Sequence, residues 1–174
     1  MEKPIEVLTN GHKRLEIYVD PCPDSPRSWD NLGTMYFYHR RYTADKHNLS
    51  VGQGKALEAN SDYISVPIYM YDHTGQTIRT TPFSCPWDSG KIGFIAVSKE
   101  KVRKEYNWKV VTKKRKEQIE KYLEGEVETY DTYLQGEIYG FKLFEDEVET
   151  DSCWGFFGSD HKASGLLENI GWEE

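Results

Sequence analysis

The chain has 174 residues, a net charge of −7, 29% charged and 14% aromatic residues, and a mean hydropathy of −0.74. That length supports a sizeable core, and the aromatic content is too high for a disordered chain. No apolar run approaches the ~20 residues that span a bilayer, and Met1-Glu2-Lys3-Pro4 lacks a signal-type apolar stretch, so a cytoplasmic protein with no membrane partner is expected.

Residues 1–12 read as a flexible N-terminal segment. Leu15 to Val19 alternates as a half-buried strand. Asp20 to Pro26 holds three prolines and forbids regular structure. Thr34 to His39 is apolar on both faces, as in a central strand. Residues 40–60 are polar, with a short helix expected from Lys55 to Asn60. Ile64 to Tyr71 and Gln76 to Thr81 form a hairpin about Asp72-His73-Thr74-Gly75, with Pro67 pushing the first strand toward an edge. Lys91 to Val97 is a buried strand.

Ser98 caps a helix from Lys99 to Tyr106, and Thr112 caps a longer one. The apolar stripe of the longer helix is Ile119, Tyr122, Leu123, Val127 and Tyr130. Lys113 with Glu117, and Glu117 with Lys121, are spaced as supporting ion pairs; Gly125 weakens the middle and Gly136 ends it. Ile138 to Phe144 and Val148 to Phe157 are strands about the acidic turn Glu145-Asp146-Glu147, and Ala163 to Ile170 is a last helix. The order of elements predicts one α+β domain over residues 1–174: a mainly antiparallel sheet with two to three helices packed on it.

Charge is uneven along the chain. Residues 99–121 hold ten Lys or Arg against four Asp or Glu, a local +6, so the rest carries −13 of the whole-chain −7. Residues 124–151 hold ten acids and one base, Lys142. An acidic remainder argues against broad nucleic-acid binding and suits a partner with a basic surface. The candidate partner-binding acids are Glu124, Glu126, Glu128, Asp131, Glu137, Glu145, Asp146, Glu147 and Glu149. The alternative nucleic-acid surface is Arg103, Lys113, Lys114, Arg115 and Lys116, whose cations at a helix start oppose the macrodipole.

Two aromatic segments bear the other chemistry, Thr81 to Gly90 with Cys85, Trp87 and Asp88, and Asp151 to Gly158 with Cys153 and Trp154. Three cysteines cannot all pair and form no CxxC, so reduced, buried thiols are expected. A thiol nucleophile would be Cys85 with His73 as base and Asp88 as orienter, although Pro86 removes one oxyanion-hole N–H. His39, Asp45, His47, Asp72 and His73 form a candidate metal set whose spacing matches no signature. Gly52-Gln53-Gly54-Lys55 lacks the P-loop spacing. No cofactor is implied. Trp29-Asp30, Trp87-Asp88 and Trp154 read as turn carboxylates with rings plugging the core edge; the alternative is a set of exposed anchors for a partner.

Leu15 to Asp20, Ser25 to Met35, His39-Arg40-Arg41-Tyr42, Tyr71 to Gly75, Pro82 to Gly90 and Asp151 to Phe156 together resemble uncharacterised small phage and prophage accessory proteins of low-GC Gram-positive bacteria. The resemblance covers roughly Leu15 to Ile170 and carries over no catalytic residue. It implies a protein working in the host cytoplasm against a host defence nuclease, an anti-CRISPR-like inhibitor above all. Its partner would be a host protein, a CRISPR effector or other nuclease with a basic surface.

Overall fold

The computed structural model describes residues 3–39, 41–73, 75–85 and 87–172. The expectations placed on Arg40, Thr74 and Pro86 lie outside the described residues. The fold is α+β; among the described residues all strand pairing is antiparallel and the strands divide between two four-stranded sheets. The chain groups into two compact units, residues 1–25 with 132–174, and residues 26–131.

The first unit is built on β1 (Glu6–Asn10), β2 (Lys13–Val19), β7 (Ile138–Glu145) and β8 (Val148–Phe157), in that order across the sheet. Its first strand corrects the expectation of a flexible N-terminus. Gly11-His12 is the two-residue loop between the paired Asn10 and Lys13, and Gly11 takes φ +62° at its first position, where such a hairpin turn favours glycine. Alternation then sets the faces. Leu15, Ile17, Phe141 and Leu143 point to one side and form a core with Leu166 and Leu167 of α4 (Leu166–Asn169). Gly136, at φ +71°, stops the long helix before β7, as its position predicts.

The second unit carries β3 (Thr34–Phe37), β6 (Ser89–Ser98), β4 (Tyr63–Asp72) and β5 (Gln76–Arg79), again in spatial order. Thr34 to Phe37 is therefore an edge strand, not a central one. Pro67 sits in β4, an interior strand by order, yet its local environment is that of an edge. The four-residue β5 pairs only with Tyr69 to Asp72 and stops short of it, so the missing N–H leaves no ladder bond unmade.

Helix α1 (Val51–Glu58) starts earlier than predicted, because Ser50 and Gln53 make a reciprocal capping box. Ser98 caps α2 (Lys99–Glu105) by accepting from the Lys101 N–H. Thr112 accepts from the Arg115 N–H at 3.4 Å at the start of α3 (Lys113–Leu134). The α3 stripe Ile119, Leu123, Val127 and Tyr130 is buried, but Tyr122 is 49% exposed. Of the possible i,i+4 bridges, Lys116–Glu120 forms at 3.3 Å; the two predicted through Glu117 do not.

Candidate functional site

The densest polar arrangement in the second unit surrounds Arg27, at the end of the Pro-rich loop. Its guanidinium donates to Asp45 through two nitrogens (3.0 and 2.6 Å), to Glu126 (2.9 Å) and to the Gly33 carbonyl (2.8 Å). Asp45 also accepts from the Met35 N–H, and Glu126 from the Leu32 and Gly33 N–H groups. The side chains are only 5% (Arg27), 15% (Asp45) and 8% (Glu126) exposed. Burial pulls the Arg27 guanidinium down, but the hydrogen bonds to Asp45 and Glu126 outweigh it and hold it above its usual value.

This network removes two residues from their expected roles. Asp45 is not available to a metal, and Glu126 is not a surface acid. Asp131 is likewise committed, accepting from the Thr77 hydroxyl and the Ile78 N–H.

The network also fixes a loop over a helix. Leu32 and Gly33 are tied to Glu126 on α3, Lys101 of α2 donates to the Asn31 and Leu32 carbonyls, and the Asn31 amide donates to Pro26 and Trp29 carbonyls. Between the loop and α3 lies a cavity of about 440 Å³, lined in part by Trp29, Asp30, Lys121, Tyr122, Gly125 and Glu126. A smaller space of about 150 Å³ adjoins it across Asp30, Asn31 and Tyr122 and reaches Lys101.

Trp29 is 50% exposed and does not plug the core edge. Gly125 lies inside α3, where glycine costs about 1 kcal/mol relative to Ala, yet an added Cβ would meet nothing within 4 Å. Packing does not require this glycine; its visible effect is to leave the groove wider. The sequence carried two cues to this site, an Arg among prolines and a glycine in a helix. Neither shows that partners 18 and 99 residues away meet at Arg27.

The Cys85 segment and the Cys153 segment fall on different sheets and in different units, so they form no common corner by strand pairing. At the β4–β5 end, Asp88 does collect its predicted neighbours. Its Oδ2 lies 3.8 Å from both the Cys85 Sγ and the His73 Nδ1. The carboxylate thus stands between thiol and imidazole, whereas a nucleophile needs the base against the thiol itself. Trp87 beside them is 91% exposed, the opposite of a core plug. All three cysteines are free thiols; Cys22 is exposed, and Cys85 and Cys153 are half-buried, less buried than expected.

The metal set does not assemble. His39 stacks on Tyr42 and accepts from the Arg41 N–H, Asp72 accepts from the Tyr42 hydroxyl, and the His47 ring lies against Tyr36. Among the described residues no three His, Cys, Asp or Glu side chains are grouped to hold a metal ion.

The first unit presents a charged and aromatic sheet face opposite its core. Arg14, Glu16 and Tyr18 alternate along β2 and pair with Phe144, Lys142 and Gly140. The Tyr18 hydroxyl donates to Glu16, Arg14 pairs with Glu16 and Glu147 and stacks over Phe144, and Lys142 pairs with Glu149. Trp154 lies over Gly140, where a Cβ would come 2.2 Å from its ring, and is still 40% exposed.

Burial, then the Glu16 hydrogen bond, pushes the Tyr18 phenol up to about 12. Because the folded-state pKa is raised above the ordinary tyrosine value, its contribution to stability is complete below about pH 10 and is lost as pH rises through about 12. We expect Tyr18→Phe to remove part of the last absorbance change of an alkaline tyrosine titration. An unaltered high-pH end would refute that assignment.

At the tip of this sheet, Asp146 and Glu147 occupy the two central turn positions with φ +48° and +66°. Such a turn favours Asn-Gly, and holding L-residues there costs roughly 1–2 kcal/mol each. Val148, next to them, is 64% exposed, and the side chains from Val148 to Ser152 are all exposed.

The predicted basic surface splits as well. Arg115 covers the Trp108 ring at 4.5 Å and donates to the Val110 carbonyl, while Tyr106 stacks on the same indole at 4.6 Å. Lys99, Lys104, Lys113, Lys114 and Lys121 form no ion pair among the described residues. No helix among them is long and apolar enough to cross a membrane.

Compared with models of protein families, with curated proteins and with solved structures, the chain matches none.

Proposed function

We propose that this chain is a phage-encoded accessory protein that inhibits a host defence nuclease, anti-CRISPR-like in mode, by binding it without catalysis. The observation that supports this most is the β7–β8 hairpin. Two carboxylates occupy a turn that would be more stable without them, beside an edge strand whose exposed side chains include Val148, Glu149, Asp151 and Trp154. Backbone strain retained at an exposed turn points to a use for the side chains that cause it. Carboxylates with an aliphatic and an indole anchor suit a basic protein surface that otherwise receives nucleic acid.

The site narrows relative to the sequence. Glu126 and Asp131 are structural. Glu145, Glu147 and Glu149 are held by Lys13, Arg14 and Lys142 in surface pairs that cost little to exchange for a partner's cations. Two variants separate charge from folding. Asp146→Asn with Glu147→Gly improves the turn while removing two charges, and the triple change Glu145→Lys, Glu147→Lys and Glu149→Lys reverses the tip.

With tagged protein as bait in host extract, the triple variant should capture the nuclease at least about tenfold less well, since facing like charges cost several kcal/mol. The turn variant should bind more weakly while unfolding at higher denaturant. Undiminished capture by the charge-reversed protein would sink the acidic-tip reading, and unimpaired host immunity in cells expressing the chain would sink inhibition.

A further inference from the structure

The groove of the second unit is not used by that reading. We propose that it receives the guanidinium of an arginine carried by a partner protein, with the cation against the Trp29 indole and its N–H groups toward Asp30.

The groove is already formed: the loop carrying Trp29 is fixed through Asn31, Leu32 and Gly33 to Lys101 and Glu126, so binding need not order it. Its walls offer two half-exposed rings, Trp29 on the loop and Tyr122 on α3, around a volume of about 440 Å³, which holds a long side chain with its flanking backbone. Asp30 at the groove and Glu105 in the adjoining space make no ion pair among the described residues.

The sign of the surroundings sets the class of occupant. The two spaces are lined by the carboxylates of Asp30, Glu105 and Glu126 against the ammonium groups of Lys101 and Lys121. Arg27 behind Glu126 does not reverse this, because Asp45 pairs with it too and the network keeps one negative charge. The Lys101 ammonium is turned to the Asn31 and Leu32 carbonyls. Glu117 and Glu124 lie one helical turn to either side of Lys121 on α3 and offset its charge. The Tyr106 phenol, in the wall of the smaller space, is held above its ordinary value by burial first and then by Tyr122, Glu105 and Glu126. A cation is favoured here and an anion is not.

Among cations, a guanidinium matches the lining. It is flat, stacks on an indole, keeps its N–H groups in plane for a carboxylate and is less strongly hydrated than an ammonium. A lysine gives up more hydration to enter the same space. Free arginine brings its own carboxylate, which the acids repel, whereas an arginine within a chain does not.

The test is an NMR titration of the indole and backbone N–H signals with the end-capped peptide Gly-Arg-Gly, beside the same peptide with citrulline or lysine in the centre and beside free arginine. The Trp29 indole signal is assigned by its absence from Trp29→Phe. It should shift with the arginine peptide in the millimolar range, less with lysine or free arginine, and not with citrulline, which has the shape without the charge. Trp87 is more exposed than Trp29 and also precedes an aspartate, but does not line the groove, so its signal should move less. Followed through the Asn31 and Gly125 amides, Trp29→Ala should weaken binding about 2- to 30-fold, the range for a cation on a ring. Asp30→Asn should weaken it about 2- to 5-fold, as an exposed ion pair does.

Gly125→Gln should fill the groove and weaken binding without loss of folding, because its Cβ enters open space. The tip variants of β7–β8 should bind the arginine peptide as the parent does, so failure here and failure of the inhibitor reading are separately visible. An equal response to citrulline, a Trp87 shift as large as that of Trp29, or lysine peptide or free arginine bound at least as tightly as the arginine peptide would overturn the proposal. So would indifference to both Trp29→Ala and Gly125→Gln.

Discussion

Glu126→Ala is expected to destabilise the second unit by about 3–5 kcal/mol, the cost of leaving a buried cation without its partner. Arg27 is almost completely buried and depends on Glu126 for one of its two carboxylates. The same Glu126 accepts from the Leu32 and Gly33 N–H groups, which lose their acceptor along with the charge. Glu126→Gln keeps an oxygen for those two donors and should cost clearly less. Urea unfolding followed by circular dichroism checks both, and a loss below about 1 kcal/mol for the alanine variant would place the pair among ordinary surface bridges. The Ala variant should also release the loop bearing Trp29, so hydrogen exchange at the amides of Leu32 and Gly33 should rise even where the fold survives. The two variants together distinguish loss of charge from loss of a backbone acceptor.

What could be read in the sequence divides along the range of the interactions. Val148 to Phe157 is a strand with the predicted bounds, and Ser98, Thr112 and Gly136 act at helix ends as their chemistry dictates. Each of these depends on neighbours within four residues. Two missed elements were legible by the same rule: Gly11 at the first position of the Gly11-His12 loop marks the β1–β2 hairpin, and Ser50 with Gln53 marks the start of α1.

The site was not legible, because its logic is long-range. Glu126 resembles every other acid between residues 124 and 151 until Arg27 is seen beneath it, and Tyr122 follows the periodicity of the buried stripe yet stands half exposed. Trp87 shows the limit of composition. A Trp beside Asp and Gly reads as a core plug over a turn, and only the three-dimensional arrangement reveals it as 91% exposed. Burial depends on what packs above a residue, and nothing within four residues of Trp87 encodes that.

Gly93→Ala is expected to be the most damaging single methyl group in the chain, at more than about 4 kcal/mol, a loss reached only by a few severe mechanisms. A Cβ on Gly93 would stand 2.0 Å from the Tyr36 carbonyl oxygen and 2.9 Å from its carbon, and 3.0 Å from the Phe37 Cα. These are backbone atoms of β3 and cannot rotate away as a side chain would. β3 is the edge strand and pairs with β6 alone, so the strain can be relieved by lifting it off the sheet. That movement breaks the Tyr38–Ile92 ladder bond, uncovers the buried Met35 and Phe37, and withdraws the Met35 N–H from Asp45. The damage would then reach the Arg27 network through Asp45, coupling the edge of the sheet to the groove. Gly125→Ala is the matched control: the same added methyl enters open space in a helix and should stabilise by up to about 1 kcal/mol. Opposite signs for the two substitutions in one thermal-unfolding series would show that Gly93 is required by backbone contact and that Gly125 is not required by packing. A Gly93→Ala protein as stable as the parent would mean that β3 does not lie this close to β6.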